Sequence, residues 1–180
     1  MRAKWLWVLG LAGVATGCGQ GHAIFNVDLY SFIKGSGRDT IPYFVPPGTD
    51  SASSTPQRID LPGVGSSVVD SVLVNGKVNF ENQSGVGTIG LKMYLAADSA
   101  GSYNASALAL TIPDAAVSGT AVTSDTIIGR LNGGVIQLLA GSRLWVRFQA
   151  KGTNAGVTLV QGKAVFKSLW LYVVINDKLF

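Results

Sequence analysis

Acid-base, nucleophilic and metal chemistry all need side chains that converge, and this 180-residue chain carries few of them: one histidine, His22, one glutamate, Glu81, and one cysteine, Cys18. A nucleophile-histidine-carboxylate relay needs its histidine held in a packed frame. His22 instead ends the flexible run Gly19-Gln20-Gly21-His22. The nine aspartates (Asp28, Asp39, Asp50, Asp60, Asp70, Asp98, Asp114, Asp125, Asp177) are scattered singly, without zinc-ligand or calcium-loop spacing. Gly85-Val86-Gly87-Thr88-Ile89-Gly90 matches a dinucleotide-binding fingerprint, which works only where a helix follows to receive the pyrophosphate. Here the following residues alternate as in a strand, so the segment reads as a glycine-rich hairpin loop. The expectation is a non-enzyme with no cofactor and no metal.

Two groups of residues could bind rather than react. Arg143, Trp145 and Arg147 fall on alternate positions, so in a strand they share one face and present an aromatic ring between two guanidinium groups, a surface for an anionic envelope partner. Tyr43 and Phe44 sit in Ile41-Pro42-Tyr43-Phe44-Val45, the apolar island of a Pro- and Ser-rich stretch, where they could cover an apolar ligand carried inside the fold.

The N-terminus determines location. Met1-Arg2-Ala3-Lys4 is basic, Trp5 to Val14 is an uncharged apolar run too short to span a bilayer as a helix, and Ala15-Thr16-Gly17-Cys18 follows. This layout resembles the signal peptide and lipobox of bacterial lipoproteins, with Ala15 standing where that family most often has Leu. The resemblance implies that residues 1–17 are removed and that Cys18 becomes the lipidated first residue, followed by a tether over 18–22. It also implies a membrane partner, reached through the acyl chains. With Gly19 rather than aspartate behind the cysteine, the family pattern implies the outer membrane as destination.

Removal of residues 1–17 also removes Arg2 and Lys4, so the net charge of +4 falls to +2 and a nucleic-acid partner is not implied. A lone cysteine forms no intrachain disulfide, so residues 23–180 must be stabilised by burial, as a single domain.

Strand periodicity accounts for most of that domain. Ala23 to Phe32 reads as a strand, and Gly35 to Ser66, which contains five of the six prolines, as a long loop. Asn75-Gly76 has the composition of a hairpin turn, but a turn there would mix apolar and polar residues on both faces. A continuous strand places Val72, Val74, Val78 and Phe80 on one face, with Gly76 at a bulge or bend. Further strands are expected after the turn at 83–87, with Ile89, Leu91, Met93 and Leu95 inward, at Leu108–Ile112, on both sides of Asn132-Gly133-Gly134, over Arg143–Ala150 and through Lys163–Ile175. The fold class is all-β, an antiparallel β-sandwich of immunoglobulin-like architecture. A small outer-membrane barrel ending at Phe180 is the alternative, weakened by Lys178 and Asn176 where lipid-facing residues should be apolar.

Overall fold

The computed structural model describes residues 21–61, 63 and 68–177. The expected signal segment over residues 1–17, Cys18 and Phe180 lie outside these residues.

The described chain forms ten strands: β1 (Gly21–Asp28), β2 (Thr40–Val45), β3 (Gly48–Ser53), β4 (Gln57–Asp60), β5 (Val68–Ser84), β6 (Val86–Ala96), β7 (Leu108–Ser118), β8 (Val122–Arg130), β9 (Arg143–Asn154) and β10 (Val160–Asp177). Two short helices, α1 (Leu29–Gly35) and α2 (Gly133–Ile136), interrupt them. All pairings are antiparallel. One sheet runs β1-β10-β5-β8, with β2 sharing the β10 edge, and the other runs β3-β9-β6-β7, with β4 sharing the β9 edge. The sheets are open and packed face to face, so the fold is the antiparallel sandwich read from the sequence, not a closed barrel.

The alternation of apolar residues produces this architecture directly. Val72, Val74, Val78 and Phe80 of β5 face inward, as do Ile89, Leu91, Met93 and Leu95 of β6 and Leu144, Val146 and Phe148 of β9. They form one continuous core between the sheets, in which the Phe148 and Phe166 rings pack with centroids 4.6 Å apart. Each large side chain removed from water here stabilises the fold by about 1.5–3 kcal/mol.

Asn75-Gly76 lies within β5, which is continuous across it. The bulge is on the partner strand: register shifts between Phe166 and Ser168, opposite Val78 and Lys77. A Cβ on Gly76 would lie 2.6 Å from the Ser168 carbonyl oxygen, so glycine allows the two backbones to pass.

Several expectations are corrected. The first strand stops at Asp28, whose carboxylate accepts from the Ser31 amide at 3.2 Å and caps α1. The proline-rich stretch from Gly35 to Ser66 contains β2, β3 and β4. Pro42 is tolerated because β2 is an edge strand, paired only with β10. Asn132 does not turn a hairpin; its side chain accepts from Gly134 N at 3.2 Å and starts α2. Gly85 carries the chain from one sheet to the other, because β5 and β6 are not paired with each other.

Six connections cross between the sheets, among them β2–β3, β5–β6, β7–β8 and β9–β10. Two buried asparagines tie these four together. Asn82 Nδ2 donates to the carbonyls of Ser84, Gly85 and Gly119 at 3.0, 3.2 and 2.8 Å. Asn154 Nδ2 donates to the carbonyls of Val45 and Thr158 at 3.0 and 2.9 Å, while its Oδ1 accepts from Gly156 N at 2.9 Å. A satisfied buried amide is costly to disrupt, so this corner end of the sandwich is cross-braced. The opposite end is where β1 enters, with Gly21 paired to Asp177.

Candidate functional site

The braced corner borders a groove of about 630 Å³ lined by residues of β2 and β3 and by Gln83, Gln161, Gly162 and Lys163. In β2 the alternation sends Tyr43 inward and Phe44 outward. The two neighbours do not form a joint cover: Tyr43 is buried beneath the groove, while Phe44 is 59% exposed on its wall beside Pro42.

The Tyr43 hydroxyl donates to Asn82 Oδ1 at 3.2 Å. Burial, assisted by the nearby Glu81 carboxylate, pushes its pKa up to about 12, so it is a neutral hydrogen-bond donor and not an acid-base group. Glu81 accepts from Lys163 at 3.1 Å and lies 3.6 Å from Lys167, and the hydrogen bond and attraction to Lys163 hold its carboxyl below the usual range. The charge of Lys163 is thereby answered within the protein. Gln161 Nε2 meets Gln83 Oε1 at 3.4 Å, which leaves the Gln161 carbonyl oxygen as acceptor and the Gln83 NH2 as donor. The groove thus combines an apolar wall, two amides and the Asp50 carboxylate.

The Arg143, Trp145 and Arg147 patch is not the surface expected. All three point outward from β9, yet Arg147 is only 4% exposed. Its guanidinium lies 4.0 Å from the Tyr94 ring centre and 4.8 Å from that of Tyr103. Nε donates to the Ser102 carbonyl and Nη1 to Ser53 Oγ, each at 2.9 Å. Arg147 therefore pins the turns around residues 101–107 over the outer face of its sheet and is not free to bind an anion. Arg143 stands opposite Asp60 and Trp145 opposite Arg58. Nothing in the local sequence signals this, since the covering residues lie far along the chain. Among the described residues, no group of three or more His, Cys, Asp or Glu side chains comes together.

A further feature lies on the other sheet. Leu169 to Ile175 is apolar on both faces, as suits a central or doubly covered strand, and β10 is central, between β1 and β5. Leu169, Leu171, Val173 and Ile175 are buried, but Trp170 is 38% exposed, and Tyr172 and Val174 are partly exposed.

No protein-family model matches the chain, and no curated protein is similar to it. Among solved structures, the particle of infectious bursal disease virus, Gx strain, gives a TM-score of 0.41 at 8% identity, covering 87% of this chain and 39% of the viral one. The T13 particle of the same virus gives 0.43 at 9% identity, covering 86% and 35%. TmCBM61 in complex with β-1,4-galactotriose gives 0.29 at 11% identity, covering 84% and 86%. The chain spans less than half the length of the viral proteins. Likeness at this level carries no function across.

Proposed function

We propose that this chain is a non-catalytic binding module of the bacterial cell envelope, held on the outer membrane by lipid at Cys18 and using the β2–β3 groove to bind a glycan. The observation that carries the reading is the separation of two sites along β10. The tether enters at Gly21, opposite Asp177, whereas the groove residues Gln161, Gly162 and Lys163 lie near the other end of the same strand. Fifteen residues of strand separate Gly162 from Asp177, a contour of roughly 50 Å. Gly21 is three positions after Cys18, a reach of at most about 10 Å. An acylated Cys18 therefore keeps the β1 end at the bilayer, with the groove at the far end of β10.

The chemistry of the groove favours a neutral, hydroxyl-rich chain over an anion. Phe44 and Pro42 offer an apolar wall for the C–H faces of a sugar ring, the free halves of Gln83 and Gln161 offer one donor and one acceptor, and Lys163 is already paired with Glu81. Sedimentation of the mature chain with isolated cell-wall and outer-membrane polysaccharide tests this. Wild type should be retained, and Phe44→Ala or Gln161→Ala should be retained several-fold less. Equal retention of all three proteins, or none of the wild type, contradicts the reading.

A further inference from the structure

We propose that the outer face of the β1-β10-β5-β8 sheet, at the end where β1 enters, is a membrane-contact surface that lies against the bilayer carrying the lipid of Cys18. This rests on the lipid-anchor reading and adds an orientation to it.

The outward face of a one-sided sheet is ordinarily polar. Here the register lays out a different surface. Ile24 pairs with Val174, Tyr172 with Leu73, and Trp170 with Asn75, whose other neighbour is Ile128. All these apolar side chains point away from the core, with Ile24 68%, Leu73 45% and Ile128 78% exposed. Asn26 beside Tyr172, Ser71 beside Val174 and Asn75 between Trp170 and Ile128 interrupt the cluster with small polar groups, yet so many exposed aliphatic and aromatic side chains on one sheet face mark an interaction surface. Its composition suits lipid: Trp and Tyr favour the headgroup level, and Ile, Leu and Val the acyl boundary. The flanking residues Arg130, beside Leu73, and Lys77 supply cations at the rim. Asp28, the carboxylate beside Trp170, is engaged in capping α1.

The identity of the occupant follows from the tether. Ile24 lies on the strand that begins three residues after Cys18, so acyl chains on Cys18 enter the bilayer within about 10 Å of the start of that strand. Membrane binding strengthens when one lipid signal is joined by a second contact, and the patch is placed to be that contact. The patch takes its β10 residues from Trp170 to Val174, whereas the groove takes Gln161 to Lys163, at least seven strand positions or roughly 23 Å further along, so contact at this end does not cover the groove.

The mature chain is suited to a direct test, because after removal of Trp5 and Trp7 it has two tryptophans, Trp170 on this face and Trp145 on the outer face of the opposite sheet. The chain from residue 18 is coupled through its sole cysteine to maleimide-headgroup lipid in phosphatidylethanolamine/phosphatidylglycerol vesicles, with or without brominated acyl chains. This step does not depend on what the cell does to Cys18. In Trp145→Phe, the Trp170 emission should shift to the blue and be lost in brominated vesicles; in Trp170→Phe, the Trp145 emission should do neither. Ile24→Ser with Leu73→Ser and Ile128→Ser, all at exposed positions, should abolish the Trp170 response with unchanged circular dichroism. Absence of Trp170 quenching, equal quenching of both tryptophans, or shielding of Trp170 by a second copy in a sedimenting dimer would each overturn the proposal. An unmodified Cys18 thiol in protein made by the native cell would overturn the lipid anchor separately.

Discussion

The Tyr43 hydroxyl donates to Asn82 Oδ1 across 3.2 Å, and the amide nitrogen of the same asparagine holds the two crossings at Gly85 and Gly119. One buried side chain thus links the strand that forms the wall of the groove to two of the six sheet-to-sheet connections. Asn82→Ala takes the side-chain amide from the Ser84 and Gly119 carbonyls and the Tyr43 hydroxyl, while the Gly85 carbonyl keeps the Gly119 amide, and a loss of about 3 kcal/mol is expected, read from the urea midpoint. Unchanged stability would mean that the corner is held by other contacts.

Alkaline pH acts on the same pair. A tyrosine whose pKa is raised from 10.0 to about 12 on folding contributes stability that is complete below pH 10 and is lost as pH rises through 12. The contribution is about 2 kcal/mol. Urea midpoints measured from pH 9 upward should therefore fall more steeply for wild type than for Tyr43→Phe, which has no proton to lose there. Parallel curves would count against the buried neutral hydroxyl.

Where residues pair with the core, the sequence is readable. The unbroken strand through Asn75-Gly76 and the inward sets of β5, β6 and β9 follow from alternation alone, because one slipped residue would put valines in water and lysines in the core. What alternation cannot report is what covers an outward face. Arg147 points outward as expected, but the turn carrying Ser102 and Tyr103 closes over it from 45 residues away. Local amide chemistry is likewise ambiguous, since Asn132 can turn a hairpin or cap a helix, and only the packing of Val135 and Ile136 into the core favours the helix. The prolines of residues 42 to 62 suggest a loop because they exclude a central strand, yet they leave edge strands open, which is what β2 becomes. Of the groove, alternation along β2 separates a buried Tyr43 from an exposed Phe44; its amides, Gln83 and Gln161, come together only through the pairing of β5 with β10.

Gly76→Ala probes the close approach directly. Its added methyl meets backbone on the neighbouring strand, which cannot swing away, and a loss of about 2–3 kcal/mol is expected. Gly35→Ala, where nothing lies within 4 Å, is the control and should change stability little. Similar thermal midpoints for the two variants would show that β10 can bend further at its bulge.

Arg147→Ala removes two hydrogen bonds and two cation-aromatic contacts and should free the turns around residues 101–107. A cost of about 2–4 kcal/mol is expected. Protease cleavage between Ala100 and Ala107 should become faster in the variant while polysaccharide retention is unchanged, because the groove lies elsewhere. Loss of retention would place this face in the binding surface after all.

The account depends most on Cys18. Cells producing the full chain are labelled with a palmitate analogue, and the purified protein is compared with Cys18→Ala. Label on wild type and none on the variant is the predicted result. An unlabelled wild type, or equal label on both, would contradict the lipid anchor and with it the placement of the groove at the end of β10 far from the anchor.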